Sequence, residues 1–328
     1  MAFRLFIRVF LLAYLLASAP ARSQELAGYL PSWRDTPTKL ALLEFVTKVT
    51  DVEGDFFVPP ERRIAVFDND GTLWSEEPWP VPLEFVFYRI RKLSPEHPDW
   101  VNEQPYKAVL ANDTEWLRLN GRGAFRQLSA VAQAGISTDQ YEGLVQEFLA
   151  NARHPVTGLR YADMAYVPML ELIKLLQAKK FEVYVVSGGD LDFIRAYAPL
   201  VYGVARANII GSHPAYRLDV TANDVEVLRQ AETGSVNVGG YKVVNIHVHI
   251  GQPPIAAFGN SDGDLQMLRY ATSGDGPSLA AILDHDDGQR EFAVSSGAGR
   301  LAEEAKERQW LRISMKHDFD SIYRVGGH

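Results

Sequence analysis

Apolar residues form short continuous runs that alternate with longer amphipathic stretches along most of the chain. Three runs have the length of a strand: Ile64–Phe67, Val183–Val186 and Ile255–Phe258. A short run that is apolar at every position is typical of a strand buried on both faces of a parallel sheet. Similar runs occur in "ANIIGS" and "LAAILD", and a polar tail follows the second of these. The pattern therefore predicts a buried, mostly parallel sheet.

The stretches between these runs repeat apolar residues every three or four positions, as amphipathic helices do. Residues 35–51 predict a helix that Asp35 or Thr36 caps and Pro37 begins. Separate helical patterns then occur in "PLEFVFYRIRKL", "PYKAVLANDTEWLRL", "GAFRQLSAVAQAG", "STDQYEGLVQEFLANARH" and "MAYVPMLELIKLLQAKK". Strands alternating with helices favour an α/β fold with a doubly wound, Rossmann-like parallel sheet.

The helical region after the first strand is too long to be a single crossover connection. We expect residues 79–180 to form a helical cap that is inserted into the sheet domain. Residues 24–78 and 181–328 then form the α/β core.

The beginning of the chain has a different pattern from the rest. Arg4 and Arg8 precede the apolar stretch Val9–Ala17. This stretch is too short to span a bilayer, and small residues follow it. This order is typical of a secretory signal peptide, with cleavage after Ala21 or Ser23. We predict that residues 1–23 are removed and that the mature protein is periplasmic or secreted, without membrane attachment.

Composition narrows the possible partners. The 328 residues carry a net charge of -8 and include no cysteine, so the protein needs no disulfide and depends on its core. An acidic chain without clustered Lys and Arg does not suggest a nucleic-acid partner. A small anionic substrate remains possible, because a site can be locally positive on an acidic surface. The oligomeric state cannot be read from these features.

Polar residues follow each of the three apolar runs, where ligands bind in doubly wound sheets. These residues are Asp68-Asn69-Asp70-Gly71-Thr72, Ser187-Gly188-Gly189-Asp190 and Gly259-Asn260-Ser261-Asp262-Gly263-Asp264, and Lys242 precedes the third. Asp68 and Asp70 are like charges two positions apart, and their repulsion requires a compensating cation or a reaction that uses them.

These residue types are suited to phosphoryl transfer. Carboxylates such as Asp68 are ligands for Mg²⁺, and a carboxylate can also attack phosphorus. Its neighbour, Asp70, can move a proton to the leaving oxygen and later from water. Lys242 can neutralise developing charge, while Ser187 and the glycine amides after it can hold a phosphate.

With these motifs in this order, the chain resembles the haloacid dehalogenase superfamily of phosphohydrolases. The D-x-D-G-T motif of that family is matched by Asp68–Thr72, its strand-closing Ser or Thr by Ser187, and its lysine by Lys242. A variant of its acidic fourth motif is matched by Gly259–Asp264. The position of the helical insert and the sequence "SGGDLDFIR" are similar to the phosphoserine-phosphatase-like branch.

The resemblance implies a Mg²⁺-dependent phosphatase that acts on a small phosphorylated metabolite. Asp68 is then the nucleophile and a metal ligand, and Asp70 is the general acid/base that binds the metal through its carbonyl. The implied substrate-binding residues are Thr72, Ser187, Gly188, Gly189 and Lys242. Asn260 stands where the family usually has an acid, so the metal site is completed by Asn260, Asp264 or, in part, Asp262.

Two other functions remain open from the sequence: a phosphomutase of the same superfamily, and a secreted binding protein with this fold and little turnover. A dehalogenase is less expected, because such enzymes lack the acid at the position of Asp70. Lys242 could instead be a surface lysine. His247 and His249 are predicted on the flanks of a helix rather than at a metal, and Asp284–Gly288 is predicted as a solvated loop.

Overall fold

The protein is described by a computed structural model that covers residues 26–293 and 299–324. The strands are β1 Ile64–Phe67, β2 Glu182–Asp190, β3 Ile209–Val220, β4 Val225–Ser235, β5 Ala256–Gly259, β6 Leu279–Asp284 and β7 Leu311–Ser314. The predicted signal peptide, residues 1–23, lies outside the described residues and stays a prediction.

The α-helices alternate with these strands or fill the long connection between β1 and β2. They are α1 Pro37–Thr50, α2 Val81–Leu93, α3 Tyr106–Leu110, α4 Thr114–Gln133, α5 Thr138–Asn151, α6 Val167–Ala178, α7 Leu191–Arg195, α8 Ala198–Val201, α9 Gly240–Ile250, α10 Leu265–Ala271, α11 Arg300–Glu307 and α12 Met315–Asp318. Within the described residues, no helix is both long enough and apolar enough to cross a membrane.

The seven strands form one sheet in the order β4-β3-β2-β1-β5-β6-β7. Strands β2 and β3, β5 and β6, and β6 and β7 pair in parallel, whereas β3 and β4 pair in antiparallel fashion. Strand β1 has β2 on one side and β5 on the other, so the winding of the sheet changes direction at β1. The predicted α/β, doubly wound fold is confirmed.

The chain forms two compact units, whose bounds are not the same as those of the predicted domains. The central unit contains Phe67–Ala165 and Tyr184–Gly251. The terminal unit contains Tyr166–Val183 and the described residues before Phe67 and after Gly251. Helix α6 therefore belongs to the terminal unit, although it lies inside the region 79–180 that we predicted as the cap. The cap boundaries themselves stay a prediction.

Local sequence signals explain several helix ends. The Thr36 hydroxyl accepts from the Lys39 amide at 3.4 Å, so Thr36 caps α1 as predicted. Ser137 forms a capping box with Gln140 at the start of α5. One predicted helix is interrupted instead, because Asn112 has a φ of 53° between α3 and α4. Helix α4 then continues through a second stretch that we predicted as a separate helix.

Several elements were not predicted from the sequence, and the full length of β3 was not predicted either. The stretch "ANIIGS" begins a long strand, β3, which forms a hairpin with β4, and many hairpin residues are exposed. Such strands lack the continuous apolar run of a buried strand, which is why the pattern did not show them. The predicted polar tail likewise contains α11 and the edge strand β7. The predicted solvated loop at Asp284–Gly288 is wrong in part, because His285 and Asp287 are buried.

Candidate functional site

Asp68 lies directly after β1, whose four residues are all buried. Its side chain forms an ion pair with Lys242, whose ammonium donates to Asp68 Oδ1 at 2.5 Å. Residue exposures are 7% for Asp68 and 3% for Lys242, so this ion pair is largely withdrawn from solvent. Lys242 lies on α9 and is not a surface lysine. The structure therefore brings together the two residues that the sequence separates by 174 positions.

The loop after Asp68 turns sharply and aims Asp70 at an indole. Gly71 has a φ of 73°, which favours glycine, and its amide donates to the Trp74 carbonyl at 2.9 Å. Trp74 Nε1 donates to Asp70 Oδ1 at 2.8 Å. The Trp74 ring is buried and stacks on Tyr197, with 4.4 Å between ring centroids. A packed aromatic wall thus fixes one oxygen of Asp70.

The surroundings of Asp70 favour its protonated form. Burial raises the pKa of the Asp70 carboxyl above its ordinary value, although the hydrogen bond from Trp74 and the charge of Lys242 oppose this rise. Asp68 and Asp70 are thus in different environments, since Asp68 faces an ammonium directly and Asp70 faces an indole. Two carboxyl groups with different surroundings can take separate roles, one as a nucleophile and one as a proton donor.

Ser187 lies inside β2, which continues to Asp190 instead of ending at Val186 as predicted. The strand is irregular between Val186 and Asp190, so the glycine pair is part of an extended segment and not of a turn. Ser187 is buried, and its hydroxyl accepts from the Gly189 amide at 2.9 Å. Gly189 lies close to two side chains: a Cβ at this position would be in ordinary contact with Asp70 Oδ2 at 3.4 Å and in tight contact with Ser187 Oγ at 3.1 Å. The ends of β1 and β2 therefore meet at Gly189.

Asn237 is a residue of this site that sequence reasoning missed. Its buried side-chain amide donates to the Ser187 carbonyl at 2.8 Å and to the Ile210 carbonyl at 3.1 Å. Its carbonyl oxygen accepts from Asn245 on α9 at 2.9 Å. Asn237 thereby connects the Ser187 segment to the helix that carries Lys242. It lies in the polar stretch "GSVNVGG", which gives no signal of such a role.

Thr72 and Gly188 were predicted as substrate-binding residues. Thr72 is buried, and its amide donates to the Asn69 carbonyl at 3.1 Å, so Thr72 stabilises the loop. The Gly188 carbonyl accepts from Ser212 Oγ of β3 at 2.9 Å. The binding roles of both residues stay predictions.

The fourth motif lies in the terminal unit, after β5. Asp264 is buried, and its Oδ2 accepts from the amides of Asn260 at 3.0 Å and Ser261 at 3.1 Å. Asp262 is turned toward α11, where it accepts from the Leu301 amide at 2.8 Å and from Arg300 at 3.3 Å. Asp262 thus caps a helix, which makes it the least suitable of the three as a metal ligand.

Across residues 26–293 and 299–324, no group of three His, Cys, Asp or Glu side chains is arranged to hold a metal ion. The predicted ligands divide between the units, with Asp68 and Asp70 in the central unit and Asn260 and Asp264 in the terminal one. Their donors are carboxylate, carbonyl and amide oxygens, which is the set that Mg²⁺ prefers. The predicted ligand set therefore stays a prediction that donor chemistry supports.

Comparison with known proteins agrees with this arrangement. Residues 65–269 match the family model of the haloacid dehalogenase-like hydrolases. The match includes Asp68, Asp70, Ser187, Lys242 and the fourth motif. No curated protein matches the chain.

Solved structures with the same fold include two proteins of unknown function. One is a conserved protein of unknown function from Anaerococcus prevotii DSM 20548, with a TM-score of 0.56 and 14% identity over 92% of this chain and 99% of that chain. The other is a protein of unknown function from Bordetella pertussis Tohama I, with a TM-score of 0.50 and 16% identity over 77% of this chain and 98% of that chain. Identities this low indicate a common fold and nothing more.

Proposed function

Because the chain belongs to the haloacid dehalogenase-like hydrolase family, we propose that it hydrolyses a small phosphate monoester through a phosphorylated Asp68. The observation that carries this proposal is the pairing of Asp68 with Lys242 beside an Asp70 whose pKa is raised by burial. A nucleophile, a cation and a proton donor are the groups that this reaction needs.

The reaction proceeds in two steps. In the first, an Asp68 oxygen forms a bond to phosphorus, the bond from phosphorus to the ester oxygen breaks, and Asp70 donates its proton to the departing alcohol. In the second, Asp70 accepts a proton from water, the water oxygen attacks phosphorus, and the bond to Asp68 breaks to release inorganic phosphate. Lys242 and the amides of the Ser187 segment neutralise the phosphoryl charge in both steps.

The donor set of this chain is compatible with Mg²⁺. Asp68, the carbonyl of Asp70 and Asn260 would hold it, with Asp264 supporting the loop that carries Asn260. When bound, the ion supplies positive charge that draws electrons from the phosphoryl oxygens.

Hydrolysis of p-nitrophenyl phosphate tests this proposal. We expect the purified protein to release phosphate when Mg²⁺ is present and to stop when EDTA removes the metal, with recovery on adding excess Mg²⁺. A panel of natural monoesters, assayed by phosphate release, then identifies the substrate class. Interconversion of sugar phosphates without phosphate release would contradict the proposal in favour of a mutase, and ligand binding without turnover would indicate a binding protein.

We predict that Asn260→Asp lowers the Mg²⁺ concentration needed for half-maximal activity. The substitution replaces a neutral oxygen donor by a charged one, and its attraction for the ion outweighs the added repulsion from Asp68. A matched control is Asp262→Asn, because Asp262 is bound to Leu301 and Arg300. Metal titrations at one ionic strength should shift for Asn260→Asp and coincide with wild type for the control. Coincident curves for Asn260→Asp would remove Asn260 from the metal site.

A further inference from the structure

Arg229, on β4, is a charged residue with no exposed surface. Its guanidinium carbon lies 3.8 Å from the centroid of the Tyr141 ring. A buried guanidinium is costly unless its charge and its donors are compensated by partners. The nature of those partners indicates what this arginine does.

The partners of Arg229 include two carboxylates. Its Nη2 donates to Asp190 Oδ2 at 2.5 Å and to Gln133 Oε1 at 2.8 Å. Its Nη1 donates to Asp192. A rigid fork that presents several donors can join three side chains in this way, whereas a lysine ammonium cannot reproduce the geometry.

Asp190 links this arginine to the candidate site. It is the last residue of β2 and directly follows the glycine pair Gly188-Gly189. One oxygen of Asp190 accepts from the Phe193 amide at 3.0 Å and caps α7, while the other accepts from Arg229. Because glycine has the most conformational freedom of any residue, the amides of this pair depend on what holds the residues around them.

The other end of the same segment is held by neutral groups. Asn237 donates to the Ser187 carbonyl, and Ser212 donates to the Gly188 carbonyl. At the carboxyl end, Asp190 pairs with Ser212 on β3 through the main chain, and its side chain forms the ion pair with Arg229. The glycine pair is therefore fixed from both sides.

The main chain of Arg229 is anchored as well. Its amide donates to the Ile136 carbonyl at 2.9 Å, and its carbonyl accepts from the Gly135 amide at 2.8 Å. These residues connect α4 and α5, so the hairpin strand is tied to the helical region of the central unit. The guanidinium thus projects from a fixed backbone toward Asp190.

We propose that Arg229 is a positioning residue for the phosphate-binding segment Ser187–Gly189 and that it acts through Asp190. This inference rests on the proposed hydrolysis of a phosphate monoester. Arg229 touches no reacting atom; it holds in place the segment proposed to receive the phosphate, in which the Gly189 amide donates to the Ser187 hydroxyl. A displaced segment forms longer and weaker hydrogen bonds to the phosphate oxygens.

Three variants of the full chain test this inference: Arg229→Lys, Asp190→Asn and Asp192→Asn. Asp190→Asn is informative because Asn retains the helix cap and loses the charge that pairs with Arg229. Asp192→Asn is the matched control, since Asp192 also binds Arg229 but lies beyond the start of α7. The probe is inorganic phosphate, whose inhibition constant as a competitive inhibitor is measured for each variant. The KM and kcat for p-nitrophenyl phosphate are measured in the same assays. All assays are run well below the melting temperature of each variant.

We expect Arg229→Lys and Asp190→Asn each to weaken phosphate inhibition and raise KM by about ten- to a hundredfold, with a smaller change in kcat. The double variant Arg229→Lys with Asp190→Asn should bind phosphate no more weakly than either single variant, because both substitutions remove the same contact. Hydrogen exchange of residues 187–190 should become faster in both. The control should stay close to wild type in phosphate affinity and exchange.

An Arg229→Lys protein that is less stable but binds phosphate as wild type does would overturn the inference, because the role would then be structural only. Normal phosphate binding by Asp190→Asn would also overturn it, including when Arg229→Lys fails to fold. A wild-type protein that neither binds phosphate nor hydrolyses the ester would overturn the proposed function itself. In that case, unchanged hydrogen exchange of residues 187–190 in Asp190→Asn would separately exclude the positioning role of Arg229.

Discussion

Asp68→Asn should reduce phosphate release by a factor on the order of 10⁴–10⁶, because an amide oxygen cannot form the acyl phosphate. The variant keeps the shape of the side chain and an oxygen that can accept from Lys242. Steady-state hydrolysis of p-nitrophenyl phosphate at saturating Mg²⁺ measures the loss. Activity near the wild-type rate would show that Asp68 is not the nucleophile.

A stability effect accompanies this change and needs its own control. Asp68→Asn leaves the buried Lys242 without its carboxylate, and breaking one side of a buried pair typically costs about 3–5 kcal/mol. The double variant Asp68→Asn with Lys242→Met removes both charges and should recover much of this loss. Both proteins should be inactive, and the recovered melting temperature of the double variant would show that inactivity is not caused by unfolding.

Asp70→Asn should slow turnover by about 10²–10⁴-fold, which is the usual contribution of proton transfer. The effect depends on the leaving group. An alkyl phosphate needs a proton on its departing oxygen, whereas p-nitrophenol leaves readily without one. We therefore expect Asp70→Asn to lose more of the rate of the first step with the alkyl ester. With p-nitrophenyl phosphate, we expect a rapid release of p-nitrophenol in the first turnover, followed by slow hydrolysis of the phosphorylated protein. Equal, small effects on both esters would remove Asp70 from proton transfer.

The raised pKa of Asp70 predicts the pH dependence of the wild-type enzyme. Burial keeps this carboxyl protonated to a higher pH than an ordinary aspartic acid, so kcat/KM for an alkyl phosphate should fall as pH rises through that pKa. The Asp70→Asn profile should lack this fall. A wild-type profile without the fall would contradict the role of Asp70 as the acid.

Stability should change with pH in the corresponding direction. A carboxyl whose pKa is raised on folding binds its proton more tightly in the folded state, so its contribution to stability is lost as pH rises. At neutral pH, Asp70→Asn should therefore be at least as stable as wild type, since Asn can still accept from Trp74. The difference should close as pH falls toward 3.8, the ordinary value for this group. Thermal melts at several pH values serve as the folding control for this variant.

The sequence predicted the parts of the site that follow apolar runs. Asp68, Asp70 and Ser187 could be placed together because the carboxyl ends of buried strands meet at one edge of a parallel sheet. The structure also brings Lys242 to Asp68, although Lys242 lies on a helix and does not follow an apolar run. These inferences succeeded because a continuous apolar run and the polar residues after it are local features.

The residues that support the site could not be predicted in this way. Asn237 and Arg229 act through contacts with residues far away in the chain, and neither lies in a recognisable pattern. Arg229 is on a hairpin whose exposed strands have no continuous apolar run. Glycine is common in turns, but pairing of Asp190 with Ser212 on β3 keeps the segment that contains the glycine pair extended.

Phosphorylation of Asp68 can be detected by mass spectrometry. Asp70→Asn protein, in which the second step is impaired, is mixed with a phosphate ester labelled on phosphorus, quenched in acid within the first turnover and digested. We expect one phosphoryl group on the peptide that contains Asp68, and none in the double variant that also carries Asp68→Asn. Turnover without a phosphorylated protein, or a phosphoryl group on another residue, would show that Asp68 is not the nucleophile.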